Sequence, residues 1–138
     1  MKKKILVLCS GNSCRSQIAE GYLRYFGNDK LEVYSAGLEA HGVHPGAVAT
    51  MKEDGIDISM HTSNRIEEYN DIDFDFVMTV CDKAREHCVY FPRKAVKLHH
   101  GFTDPSKACG SEEEIDAEFR RVRAEIKTYC KKFVEANL

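Results

Sequence analysis

The sequence predicts an α/β fold: a single three-layer domain over residues 1–138, with a four-stranded parallel sheet flanked by helices. Three observations predict it. Short apolar runs alternate with stretches of helical periodicity. The two strongest runs are apolar at consecutive positions, as in strands covered on both faces. The 138 residues, 43% of them hydrophobic, suffice for one packed domain and fall short of two.

Taken in order, Ile5-Leu6-Val7-Leu8 reads as a central strand. Ile18, Ala19, Tyr22, Leu23 and Phe26 then recur at helical spacing, with Gly27 where a helix C-cap belongs. A shorter, more polar run over residues 31–35 suits a strand towards an edge. Pro45 fits the first position of a short helix that buries Val48 and Met51 and stops at Gly55. Residues 74–80 read as a second central strand, interrupted only by Asp75, and residues 95–98 as a second edge strand. Ser111 and Glu114 form a capping-box pattern, followed by Ile115, Phe119, Val122, Ile126, Tyr129 and Phe133 at alternating steps of four and three. That apolar stripe predicts a long helix lying on the sheet.

A net charge of −2 with scattered acids and bases predicts no nucleic-acid partner. No run approaches the roughly 18 apolar residues of a membrane span, and the basic start leads into residues 5–8 without a leader-like region. Membrane association is therefore not expected, and the cytoplasm is. The six cysteines are too few and too unevenly spaced for a secreted disulfide framework, so they are expected as thiols, some of them reactive.

The loop after the first strand is Cys9-Ser10-Gly11-Asn12-Ser13-Cys14-Arg15-Ser16. A loop of this length entering a helix can curl its N–H groups around an oxyanion, and the helix N-terminus adds positive potential. Small residues let the backbone approach, while Arg15 presents a planar fork matching two oxygens of a phosphate-like group. The same field would lower the Cys9 thiol and leave it largely ionised at neutral pH, with Ser16 offering a further hydrogen bond. The alternative is a buried cysteine ending a strand and a solvated arginine. Its placement after the first strand, opening a helix, favours an oxyanion site with Cys9 as nucleophile and Ser10, Gly11, Asn12, Ser13, Cys14 and Ser16 as its lining.

Cys-x5-Arg-Ser followed by this helix resembles the low-molecular-weight protein tyrosine phosphatase superfamily. So do Ser35-Ala36-Gly37, Gly55-Ile56-Asp57-Ile58, His61-Thr62-Ser63 and Asp104-Pro105, so the likeness spans nearly the whole chain. The resemblance implies that Asp104 acts as general acid or base. Without it, Asp-Pro is an ordinary turn dipeptide.

Cys81 and Cys88 lie just beyond the second central strand, and carboxyl ends of parallel strands converge on one crevice, so Cys81 could approach Cys9. In a helix, seven rises of about 1.5 Å separate Cys81 from Cys88 by about 10 Å. A disulfide tolerates roughly 7 Å between Cα atoms, so bonding these two requires the segment to unwind. The alternatives are a pair of small buried hydrophobes or a metal site including His87, but no Cys or His falls at a usual zinc spacing, and no metal is expected.

Thr79-Val80-Cys81-Asp82 through Cys88, with Gly101-Phe102 and Asp104-Pro105, is similar to the thioredoxin-coupled arsenate reductases of this fold. That likeness implies attack of Cys9 on arsenate with Asp104 assisting loss of water, then Cys81 on Cys9 and Cys88 on Cys81, with thioredoxin reducing the final disulfide. Electrons come from thioredoxin and no bound cofactor is implied. Some members bind potassium through a loop Asn, a helix Glu and an Asp. Asn12 and Glu20 match, but Asn64 replaces the Asp, so a potassium site is not expected. Val89 also stands where Pro is usual after the last cysteine.

The phosphatase branch carries aromatic residues after Asp-Pro, whereas Ser106-Lys107-Ala108 follows here, so phosphotyrosine hydrolysis by Cys9, Arg15 and Asp104 is the alternative and weak phosphatase activity a side reaction. A non-catalytic oxyanion or redox sensor is the second alternative. Cys14 reads as a loop-lining residue, Cys130 as core and Cys109 as an idle thiol. His99 and His100 are ambiguous, one of them a candidate for orienting the Asp104 loop. A monomer is expected.

Overall fold

The computed structural model describes residues 2–82 and 94–138. Strand β1 (Lys3–Cys9) pairs in parallel with β2 (Leu31–Gly37) on one side and β3 (Phe76–Thr79) on the other, and β3 pairs in parallel with β4 (Val96–His99). The order β2-β1-β3-β4 puts the two apolar runs at the centre and the two polar ones at the edges, as their composition predicts. Ile5, Leu6, Val7, Val77 and Met78 are wholly buried. The expected second central strand is shorter than its apolar run: Asp75 accepts from the Lys4 N–H through its carboxylate, and ladder geometry begins at Phe76.

Helix α1 (Arg15–Gly27) packs against β2 and against the long C-terminal helix, α3 (Glu112–Asn137); between them in sequence comes α2 (Pro45–Glu53), which leans on α3. Gly27 is the last residue of α1 rather than its cap. Asn28 caps the helix with a positive φ of 47°, and Gly27 serves packing, since a Cβ there would fall 2.6 Å from the Leu31 side chain. The capping box of α3 forms as its pattern predicts: the Glu114 N–H donates to Ser111 Oγ and the Ser111 N–H to Glu114 Oε1, both at 3.2 Å. Phe119, Val122, Ile126, Cys130 and Phe133 are its buried face, and Phe133 meets Phe76 edge-on at 5.0 Å. Cys130 is thus core, as expected.

Candidate active site

The loop after β1 is held from outside by its carbonyls. Ser10 O accepts from the Glu39 N–H, Gly11 O from His41 and Ser13 O from His44, each at 2.9 Å. Asn12 O accepts from Gln17 Nε2 at 3.0 Å and Ser63 Oγ at 2.9 Å. In a planar trans peptide the carbonyl of one residue and the N–H of the next point opposite ways. Four carbonyls turned outward therefore turn the N–H groups of Gly11, Asn12, Ser13 and Cys14 inward, towards the start of α1. This is the oxyanion nest the spacing predicts.

Asn12 makes the curl possible. Its φ of 48° is one that Asn tolerates better than most residues, and its buried side chain locks the turn. Nδ2 donates to Ser16 Oγ at 2.9 Å and Ser35 Oγ at 3.0 Å, and Oδ1 accepts from the Asn64 N–H at 2.7 Å. Opposite it, Gly37 pairs with Cys9, and a Cβ there would come within 2.7 Å of Asn12 N and 2.9 Å of Ser10 O. Only glycine lets β2 lie this close to the loop.

Cys9 ends β1 and is 3% exposed; Cys81, two residues past β3, is 5% exposed, and the two side chains interact. The crevice argument therefore holds for this pair. It also opposes the lowering of the Cys9 thiol expected from the loop alone. The Cys9 thiol is pushed well above its ordinary value, first by the hydrogen bond to Cys81 and then by burial; Arg15 and the Ser10 N–H pull it down without prevailing. Two sulfurs in contact titrate as a pair. Ser16, the other expected donor, accepts from Asn12 Nδ2, which leaves its O–H to donate. Cys14 lines the same space as a thiol raised to about 12, by burial and then by Asp104.

Arg15 Nη1 donates to Phe102 O at 2.9 Å, and Nη2 lies 3.7 Å from Asp104 Oδ2. Asp104 caps the short turn Pro105–Lys107, its Oδ1 accepting from the Ser106 N–H at 3.0 Å and Ser106 Oγ at 2.6 Å. The carboxyl expected to reach the loop does so. Cys9, Ser10, Gly11, Ser13, Cys14 and Arg15 line a cavity of about 100 Å³, with Asp104, Ser106 and His41 around it. His41 had no signal in the sequence beyond lying in the β2–α2 connection.

Around this centre, Glu20 Oε1 accepts from Ser35 Oγ at 2.6 Å and Oε2 from Arg24 Nε at 2.8 Å, while Asn64 Oδ1 accepts from Thr62 Oγ1 at 2.7 Å. His99 bridges Thr79 Oγ1 at 2.7 Å and Asp82 Oδ1 at 2.9 Å, tying the end of β3 to the residue after Cys81. His100 stacks on Phe102 at 4.3 Å, beside the carbonyl that holds Arg15. Cys109 is exposed and away from the cavity. Cys88, His87 and Val89 lie outside the described residues.

A parallel sheet whose first strand delivers a cysteine into a nest of N–H groups closed by an arginine defines a class of proteins built to hold a tetrahedral oxyanion against sulfur. The chain belongs to the low molecular weight phosphotyrosine protein phosphatase family, whose model matches residues 4–138. It is 51% identical over 134 residues to an arsenate reductase of Halalkalibacterium halodurans, covering 97% of this chain and 96% of that one. It is 48% identical over 136 residues to an arsenate reductase of Bacillus subtilis, covering 98% of both. Among solved structures it is similar to an arsenate reductase in the phosphate binding state, with a TM-score of 0.79 and 37% identity over 97% of this chain and 98% of that one. A low molecular weight protein tyrosine phosphatase from T. tengcongensis shares the fold, with a TM-score of 0.82 at 24% identity over 98% of this chain and 99% of that one.

Proposed function

We propose that the protein reduces arsenate to arsenite, with Cys9 as nucleophile, Cys81 as the thiol that releases the product and Cys88 as the thiol that regenerates Cys9. The observation that carries this reading is that β1 and β3, neighbours in the sheet, bring the buried Cys9 and Cys81 side chains together, an arrangement a phosphatase does not need. The likeness to arsenate reductases at 48% to 51% identity over nearly the whole chain supports it.

The loop N–H groups and the Arg15 fork take three arsenate oxygens. The sulfur of Cys9 attacks arsenic opposite the fourth, the As–S bond forms as the As–O bond breaks, and Asp104 gives the departing oxygen the proton that makes it water. The Cys81 sulfur then attacks the Cys9 sulfur. The S–S bond forms, the As–S pair stays on arsenic, and As(V) becomes As(III) as two thiols become one disulfide. Attack by Cys88 on Cys81 frees Cys9 and leaves a Cys81–Cys88 disulfide for a dithiol donor of the thioredoxin class. Cys9 attacks as the thiolate, which the Arg15 charge and the Ser10 N–H favour.

No metal is assigned a part. The oxygens of Asn12, Glu20 and Asn64 are each engaged by protein donors, and Arg24 already brings positive charge to Glu20, so this set fits a potassium ion poorly. A reducing cytoplasm suits cysteines that work as thiols. Weak hydrolysis of small phosphomonoesters is a side activity of the same loop.

The test is arsenate-dependent NADPH oxidation with thioredoxin and thioredoxin reductase. Turnover by the unaltered protein and its loss in both Cys81→Ser and Cys88→Ser supports the relay. Equal aryl phosphate hydrolysis by all three proteins, with no response to arsenate, hands the site to the phosphatase reading.

A further inference from the structure

The connection between β2 and α2 runs alongside the oxyanion loop, joined to it by the Glu39, His41 and His44 N–H groups. It carries one side chain to the cavity. The His41 ring lies against Gly11 so closely that a Cβ there would fall 2.5 Å from Nδ1, and the ring forms a wall of the cavity together with Asp104 and Ser106. His41 Nε2 is 2.9 Å from Glu39 Oε2. A carboxylate acceptor fixes the proton on Nε2, so in the neutral ring Nδ1 is left as an acceptor.

In-line attack from Cys9 places the fourth oxygen of the anion opposite the sulfur, on the open side of the cavity. In free arsenate or phosphate that oxygen is a hydroxyl or oxide, whereas in a phosphomonoester it carries the organic group. The cavity of about 100 Å³ takes the anion, and an organic group on the fourth oxygen has to pass the His41 ring at its wall.

We propose that His41, held by Glu39, recognises the free fourth oxygen of the bound anion and obstructs an esterified one, and so sets the preference of the site for inorganic oxyanions over phosphomonoesters. This deepens the arsenate reading and rests on it for the substrate, but binding of inorganic phosphate reports on it separately. Other charged or titratable groups facing the cavity, Cys9, Cys14, Arg15 and Asp104, come from β1, from the loop into α1 and from the turn after β4. His41 alone comes from the β2–α2 side. Its backbone anchor to Gly11 does not depend on the ring, so the loop survives truncation of the side chain.

The experiment compares the unaltered protein with His41→Ala and Glu39→Gln in three measurements: KM and kcat for arsenate, the inhibition constant of inorganic phosphate, and kcat/KM for para-nitrophenyl phosphate. In His41→Ala the arsenate KM and the phosphate inhibition constant should rise about tenfold, the equivalent of one hydrogen bond to a charged group. Phosphate inhibition is the deciding quantity, because binding of phosphate breaks no bond, whereas arsenate kcat also reports on the departure of that oxygen. The aryl phosphate kcat/KM should hold or rise, and Glu39→Gln should move the same quantities in the same direction by less. Unchanged arsenate KM and phosphate inhibition would overturn the assignment while leaving the arsenate reaction standing, as would a parallel fall in all three activities. If no protein turns over arsenate but phosphate inhibition of aryl phosphate hydrolysis weakens tenfold in His41→Ala, the role of His41 stands and the arsenate reading falls.

Discussion

Cys9 and Cys81, far apart in the chain, are buried side by side at the ends of neighbouring strands, and their contact, ahead of burial, raises the Cys9 thiol. The relationship unites the two halves of the chemistry. The sulfur that would release arsenite already rests against the sulfur that would hold it.

Removing the partner should therefore sharpen the nucleophile. With Cys81→Ala the largest upward influence on Cys9 disappears, so the pH profile of its alkylation by iodoacetamide should move to lower pH. A profile that stays in place would show that burial, not Cys81, controls the thiol. Arsenite release should meanwhile be lost, since no second thiol can attack Cys9.

Asp104 stands 3.7 Å from Arg15 and is steadied by Ser106. Asp104→Asn keeps the shape and removes the transferable proton, so kcat for arsenate should fall by about 10²- to 10⁴-fold. KM should change far less. A loss confined to KM would make Asp104 a binding group.

Asn12 supports the loop through Ser16, Ser35 and Asn64. Asn12→Ala strands these buried partners and should cost about 1–3 kcal/mol or more in urea unfolding. Replacing sodium chloride by potassium chloride at constant ionic strength should leave the midpoint unchanged. A potassium-dependent gain would revive a cation site at Glu20.

Alkaline stability has a definite sign. Burial raises the thiols of Cys14, to about 12, and Cys130, so the folded state keeps protons that the unfolded chain releases from its ordinary value of 9.0 upward. Stability from these groups is complete below that value and declines as pH climbs towards the folded ones. Thermal melts should show the midpoint dropping above pH 9, less steeply in Cys130→Ala measured against its own neutral-pH value. An identical slope would assign the decline elsewhere, for example to Tyr22, raised by burial and by Asp54.

Much of this was legible in the sequence because it is local. Consecutive apolar residues marked β1 and β3 as central, Ser111 and Glu114 marked the start of α3, and Cys9 and Arg15 with small residues between them marked the nest. What was not legible depends on tertiary approach. The contact of Cys9 with Cys81 arises because β1 and β3 are neighbours in the sheet, and it opposes the lowering inferred from the loop alone. His41 reaches the cavity through backbone hydrogen bonds, which leave no side-chain pattern. Arg24 reaches Glu20 one turn along α1 and the Val33 carbonyl on β2, and only the second contact shows why it stays there.

The most direct measurement of the central claim is a single turnover without any external reductant. Fully reduced protein is mixed with one equivalent of arsenate, arsenite is quantified, and the disulfide is mapped by mass spectrometry. The relay requires about one arsenite per chain and a Cys81–Cys88 disulfide in the unaltered protein, a trapped Cys9–Cys81 disulfide with arsenite in Cys88→Ser, and no arsenite in Cys81→Ser. Arsenite at the full yield from Cys81→Ser would contradict it.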